Sequence, residues 1–423
     1  MLRHGRIFPS PRVRWCLRSR PWCKTVSLGG WFGGGGGGGP ALKCLVSAVL
    51  LFGGTEISPG AAEQIPPERA GQFVGSAGCK SSSCHGGAGE KRSQFLTWSQ
   101  QDFHFRAFAV LVNARSARMA DTLRIGDAQS SARCTICHSP FQSVESARLT
   151  TPDQRDQGVS CESCHNAASS WLRGHTRPDW SYATRVSAGM RDLQNLYVRA
   201  NTCVACHQNL DTDILAAGHP ELRFELDGQS VAEPKHWRDE PGTGAKAWLV
   251  GQAVALREMS WALGRSENPD DQSVAQWNGL VWLLGKVTAG QRRLRLLDFP
   301  NGPLVRASFI DMQGRADSFA RSVAETSLGD NFARDTLNSL LNLDAEFQQA
   351  KEPDKIMVRR AERLVPAVIR LADAAGMDSD AAPRPERIQL IEALPVDAGF
   401  DRGRFVKALA VYRESLTKLP AGQ

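Results

Sequence analysis

The chain has 423 residues, enough for two or three domains, and 22% of them are charged. Its formal charge of +7 is matched by residues 1–62 alone, which hold eight Lys/Arg and one Glu, so the rest is close to neutral. The high isoelectric point is therefore no argument for nucleic acid or for an anionic membrane.

Residues 1–62 do not read as part of a folded domain. An Arg-rich start is followed by seven glycines at 33–39, then Lys43, an apolar run at 45–52, and small residues ending in Gly60, Ala61 and Ala62. A basic residue, a short apolar run and a small-residue site form a secretory signal peptide. The run is too short for a bilayer, which needs about 20 residues. Cleavage is expected near Ala62, with a periplasmic mature protein and no membrane association after cleavage. The first 40 residues make an unusually long approach and fit an over-extended translation start. Cys16, Cys23 and Cys44 go with this leader.

Residues 63–240 carry one short phrase four times: Cys79, Cys84 and His85; Cys134, Cys137 and His138; Cys161, Cys164 and His165; Cys203, Cys206 and His207. Three are C-x-x-C-H and the first is C-x4-C-H. C-x-x-C-H is the attachment signal of c-type haem. Two thiols about one helical turn apart form thioethers to the haem vinyl groups, and the adjoining histidine binds the iron from below. A C-x-x-C pair can also be half a zinc site or a redox dithiol. Neither needs a histidine directly after the second cysteine, and all four phrases have one. Four covalently bound haem c groups are the expectation. At the first motif the wider loop leaves a local Cys79–Cys84 disulfide as the alternative. All eight cysteines after the leader belong to these phrases.

Between the motifs, residues 90–125 lack proline, carry Phe95, Trp98, Phe105, Phe108 and Leu111, and predict one or two helices. Residues 182–201 predict another helix that delivers the fourth motif. Short helices and long loops are expected throughout, because porphyrins would supply much of the apolar core.

Nine histidines occur; His4 belongs to the leader and none lies beyond His236. Besides His85, His138, His165 and His207 there remain His104, His175, His219 and His236, which is the number needed for a second imidazole on every iron. His219 stands between Gly218 and Pro220, which fix a loop, and His236 at the domain boundary. Met119 and Met190 are alternative axial ligands, though buried methionine is the commoner role.

Residues 241–423 contain no Cys or His. Apolar stripes recur at helical spacing: Leu249, Leu256, Met259 and Leu263; Trp277, Leu280, Val281 and Leu284; Leu337, Leu340, Leu341 and Phe347. Further segments near 356–375, 387–394 and 404–416 continue the pattern, with Pro366 as a candidate kink. A helical bundle without a redox centre is expected. The fold class is mainly α: a multihaem cytochrome c domain followed by a haem-free bundle.

Around the first three motifs the residues resemble the tetrahaem cytochromes of the cytochrome c-554 family. The similarity lies in Phe73, Val74, Gly75 and Ser76 before the first motif, then Trp98, Ser99, His104, Ala107 and Leu111. It continues in Gly158, Val159 and the third motif with Glu162, and His175 falls where that family has a further ligand. The resemblance spans roughly residues 71–225; the C-x4-C-H spacing departs from it. It implies a periplasmic electron carrier working with redox partner proteins. The alternative is a reductase of a small nitrogen oxide with one five-coordinate haem, which would follow if His236 is not a ligand. A third reading is a scaffold in which the C-terminal bundle docks a partner.

Overall fold

The computed structural model describes residues 71–226, 228, 233–237, 243–289, 294, 304–379, 382–395 and 399–417. The expected signal peptide, its cleavage point and the leader cysteines lie outside them. Residues 64–423 make up one compact unit. Among the described residues the secondary structure is helical; the one sheet-like pairing is an isolated parallel bridge between Phe73 and Leu149.

The motif region is built from α1 (Gln94–Gln101), α2 (Ala114–Leu123), α3 (Ala132–His138), α4 (Cys161–His165), α5 (Tyr182–Ser187), α6 (Leu196–His207) and α7 (Thr212–Ala216), joined by 3-10 turns and loops. The expectation of one or two helices over 90–125 resolves into α1 and α2. Asn113 starts α2 by accepting the Ser116 N–H at 2.9 Å, which satisfies an otherwise orphaned donor. The helix expected over 182–201 is instead two. Gly189 breaks it with φ 108, a dihedral open to glycine at little cost, and Asn195 then caps α6 through the Tyr197 and Val198 N–H groups. Apolar clusters here are small: Phe73, Phe141, Leu149 and Ala167 in one, Leu111, Ala120 and Ala128 in another. Such a region cannot bury enough surface by itself and needs another source of apolar contact.

The bundle comprises α8 (Thr243–Arg265), α9 (Asp271–Thr288), α10 (Arg306–Glu325), α11 (Phe332–Leu341), α12 (Asp344–Gln349), α13 (Asp354–Ala374), α14 (Pro385–Glu392) and α15 (Arg402–Thr417). The first two apolar stripes are the buried faces of α8 and α9. The third stripe is split: Leu337, Leu340 and Leu341 lie on α11, whereas Phe347 belongs to α12. The most extensive packing is between α8 and α10, the latter burying Phe309, Met312, Ala316, Phe319, Ala320 and Val323.

This core does not stop at the bundle. Leu196, Ala200 and Val204, spaced by four along α6, are buried in the same cluster, as are Phe224 and Leu226. One face of the helix that ends in the fourth motif is thus bundle core. Pro366 lies within α13 and is buried. Having no N–H, it leaves the Glu362 carbonyl four residues back without its helical donor. Arg223 supplies one: its Nη1 donates to that carbonyl at 3.2 Å, and its Nη2 pairs with the Glu362 carboxylate at 3.2 Å. Arg223→Ala should therefore destabilise the protein by about 2 kcal/mol, read from denaturant midpoints, because a helix carbonyl loses its partner. In a Pro366→Ala background the same substitution should cost less.

Candidate metal centre

In the three regular motifs the histidine is the last residue of a helix: His138 of α3, His165 of α4 and His207 of α6. Helical geometry puts residues i, i+3 and i+4 on one face, so both thiols and the imidazole point the same way. The first motif reaches that arrangement differently. In an α-helical C-x-x-C-H the histidine N–H bonds the first cysteine's carbonyl four residues back. Here the His85 N–H donates to the Cys79 carbonyl six residues back, at 3.1 Å. The two added residues are looped outward, and the Cys84 and Gly86 N–H groups close on the Ser81 carbonyl at 2.9 and 3.0 Å. A Cβ on Gly86 would lie 1.8 Å from the Lys80 carbonyl oxygen, and one on Gly87 2.3 Å from that of Ser82. The glycine pair is what lets the loop fold back. The eight cysteines among the described residues are free thiols, Cys79 and Cys84 included.

Each motif histidine has one further imidazole opposite it. Ring centroids are 6.1 Å apart for His85 and His175, 6.0 Å for His207 and His104, 6.3 Å for His138 and His219, and 6.3 Å for His165 and His236. Two metal–imidazole bonds of about 2 Å, extended by roughly 1 Å from each nitrogen to its ring centre, give a centroid spacing of about 6 Å. The first pair is nearly parallel at 17°, and the other three cross at 86°, 69° and 63°. Spacing along the chain gave no signal for which histidine meets which.

In four of these histidines Nδ1 is engaged elsewhere, which turns Nε2 toward the partner ring. His85 Nδ1 is 2.9 Å from Gln94 Oε1, His138 Nδ1 3.0 Å from the Ala107 carbonyl, His175 Nδ1 2.5 Å from that of Leu172 and His219 Nδ1 2.8 Å from that of Pro220. Asp102 Oδ1 stands 3.1 Å from His104 Nδ1, whereas Glu233 Oε1, 3.5 Å from His236 Nδ1, is a charge contact without a hydrogen bond. Burial, with His236 beside it, pushes His165 down to about 4, and burial, with His104 beside it, does the same to His207. Both therefore stay neutral, the form that binds a metal. His104 goes the other way: burial opposes its charge, but the Asp102 hydrogen bond and the charges of Asp102 and Glu233 together outweigh it and raise the imidazole.

Two buried features hold the sites in place. Glu162, between the thiols of the third motif, is 2% exposed. Its carboxylate accepts the N–H groups of Val74 at 3.0 Å, Gly75 at 2.7 Å and Ala168 at 2.7 Å, tying the approach to the first motif against the third. Burial pushes its carboxyl up while the three donors pull it back. The second feature is Gly158, at φ 68, where a Cβ would stand 2.5 Å from the His104 carbonyl oxygen. That close approach lets the Val159 N–H bond the same carbonyl at 3.1 Å, and the Val159 carbonyl accepts Trp98 Nε1 at 3.0 Å. The placement of His104 is thus fixed by backbone on one side and Asp102 on the other.

The sites adjoin in an order unlike the chain's. Cys161 beside Cys79 holds the Cys79 thiol below its usual range, and Cys206 beside Cys137 does the same to Cys137, which brings the first motif against the third and the second against the fourth. Arg191 links the third and fourth sites, donating to the Ser163 carbonyl at 3.0 Å and to Thr202 Oγ1 at 3.2 Å. A largely apolar cavity of about 1220 Å³ runs between cysteines of the second, third and fourth motifs, and Met119 lines it. The donor set suits haem c: paired thiols on one face, neutral imidazoles opposed at ligand spacing, and an apolar space between motifs. It suits zinc less, since no motif brings four Cys or His ligands to one point. Sequence reasoning found every cysteine and histidine here but missed Asp102, Arg191 and Glu233, and named Glu162 only within the resemblance, without a role. The position of Glu162 inside a repeated motif was the one signal for such a role.

No curated protein and no solved structure matches the chain. One family model does, described as cytochrome c554 and c-prime, over residues 78–166. That span holds the first three motifs and His104, and is shorter than the resemblance read over 71–225. Residues 78–166 are thus a haem region of the cytochrome c554 family, a class of multihaem c-type cytochromes that bind haem c covalently and transfer electrons.

Proposed function

We propose that the chain is a periplasmic tetrahaem c-type cytochrome carrying electrons between protein partners, each iron held by two imidazoles. The four histidine pairs at 6.0 to 6.3 Å carry this reading. When bound, haem c supplies reversible one-electron exchange at its iron. Cys79 and Cys84, Cys134 and Cys137, Cys161 and Cys164, and Cys203 and Cys206 would hold it through thioethers. His85 with His175, His138 with His219, His165 with His236, and His207 with His104 would be the axial ligands. The Nδ1 contacts of His85, His104, His138, His175 and His219 orient those rings, and the apolar walls keep water from the sites.

Paired imidazoles leave no coordination position for a substrate, which favours a carrier over an enzyme. The reductase alternative needs a motif histidine without an opposing ring, and among the described residues there is none. Met119 and Met190 are not needed as ligands for the same reason. The thiol contacts and Arg191 support a row of sites in the order first, third, fourth, second. The bundle, which holds α6, is the part we assign to docking a redox partner. No described helix is long and apolar enough to cross a membrane; periplasmic export rests on the leader sequence and on the family.

Pyridine haemochrome titration with intact mass should give four haems per chain. Three haems, with Cys79 and Cys84 oxidised to a disulfide, would remove the first site. The dithionite-reduced protein should keep its spectrum under carbon monoxide; a carbon monoxide adduct would favour the reductase. N-terminal sequencing of the native protein should start near Glu63, and a start before Lys43 would refute cleavage.

A further inference from the structure

We propose that Asp102 and Glu233 make the third and fourth sites the low-potential pair of the row, with the first and second sites above them at its ends. This rests on the bis-imidazole reading above. The observation behind it is an asymmetry in what the second imidazole of each pair touches. His175 and His219, of the first and second sites, have backbone carbonyls at Nδ1. His104, of the fourth, has the Asp102 carboxylate at 3.1 Å, and His236, of the third, lies beside the Pro234 backbone with the Glu233 carboxylate 3.5 Å away and the Asp102 charge acting on it through space. Carboxylate oxygens of Asp102 and Glu233 and the His104 Nδ1 all lie within 4.8 Å of one another, so the two acids act on neighbouring ligands together. Asp102 is 5% exposed, where little solvent screens its charge.

A carboxylate against a ligating imidazole's N–H raises the ligand's basicity and makes a stronger, charge-assisted bond than a neutral carbonyl does. Reducing a site adds one electron from the reductant and neutralises one positive charge, with no bond made or broken. A nearby negative charge stabilises the oxidised form and lowers the midpoint. Arg191 pulls the other way at the third and fourth sites, but it touches both and is unchanged by altering either acid. The proximal partners do not reverse the contrast: His85 meets the Gln94 amide and His138 the Ala107 carbonyl, neither of them charged.

The test is a dithionite titration of the tetrahaem holoprotein, followed optically and by electron paramagnetic resonance, comparing wild type with Asp102→Asn and Glu233→Gln. Each substitution should raise one of the two lowest midpoints by about tenfold in oxidised-over-reduced preference, about 59 mV for a one-electron couple, and leave the two highest unmoved. Asp102→Glu should stay close to wild type. The first site is identifiable independently, because its 17° ring angle should give a rhombic low-spin signal while the crossed pairs give strongly anisotropic ones. That rhombic signal should disappear early in the reduction. Unchanged midpoints in both variants, or a rhombic signal that is lost last, overturns the proposal. If Asp102→Asn opens its site to a high-spin form, the Glu233→Gln midpoint decides alone, by rising or not. A high-spin iron in the wild type would instead mean that the bis-imidazole reading has failed, which separates the two outcomes.

Discussion

In the holoprotein, His236→Ala should convert one low-spin site of four into a high-spin site that binds carbon monoxide when reduced. His236 faces His165 at 6.3 Å. With the ring removed, the iron at the third motif would keep one axial imidazole and gain an open position. The opening should be confined to that site, because the other three pairs share neither ring. The expected readout is a new high-spin ferric signal from one haem, a carbon monoxide band of matching amplitude, and an unchanged haem count. External imidazole should restore the low-spin spectrum. If His236→Ala leaves the spectrum unchanged in a protein already showing one high-spin haem, the carrier reading falls and small-molecule reduction returns.

Glu162→Ala should be strongly destabilising, costing about 4 kcal/mol. Its carboxylate satisfies three backbone N–H groups in a buried place. Removing an acceptor leaves each buried donor with a penalty of about 1–3 kcal/mol, partly relieved if water enters the gap. The damage should be local as well as global, since Val74 and Gly75 lie just ahead of Cys79. Denaturant unfolding of the loaded protein should show the lower midpoint, and the first and third sites should change spectrally before the second. A change below about 0.5 kcal/mol, the usual size of a surface substitution, would show that the clamp is not structural.

The candidate site was legible in its parts. Cysteines and histidines announce themselves by spacing, and the shortage of other histidines named the second ligands. The pairing was not legible. His85 takes His175, 90 positions away, while His104 crosses to His207, because the elements that carry them are short and meet through tertiary packing that no periodicity records. The acids beside them were invisible for a related reason: Asp102 and Glu233 are ordinary charged residues until folding brings them together. In the bundle, apolar periodicity found α8, α9 and α13, but α10 was passed over although Phe309, Met312, Ala316, Phe319 and Val323 follow helical spacing. Its four alanines and scattered charges dilute the stripe. The break at Gly189 was written in the sequence as a lone glycine, which helices often tolerate.

The looped first motif changes what a sequence pattern can count. A search for C-x-x-C-H finds three sites in this chain and passes over Cys79, Cys84 and His85. What the fold preserves is the closed ring from the His85 N–H to the Cys79 carbonyl, and the number of residues inside that ring is free to grow outward. Spacing between thiols is therefore a proxy for a hydrogen-bonded closure. If haem counting returns four, a census built on the fixed spacing would miss this site, where a glycine pair after the histidine makes room for the longer loop.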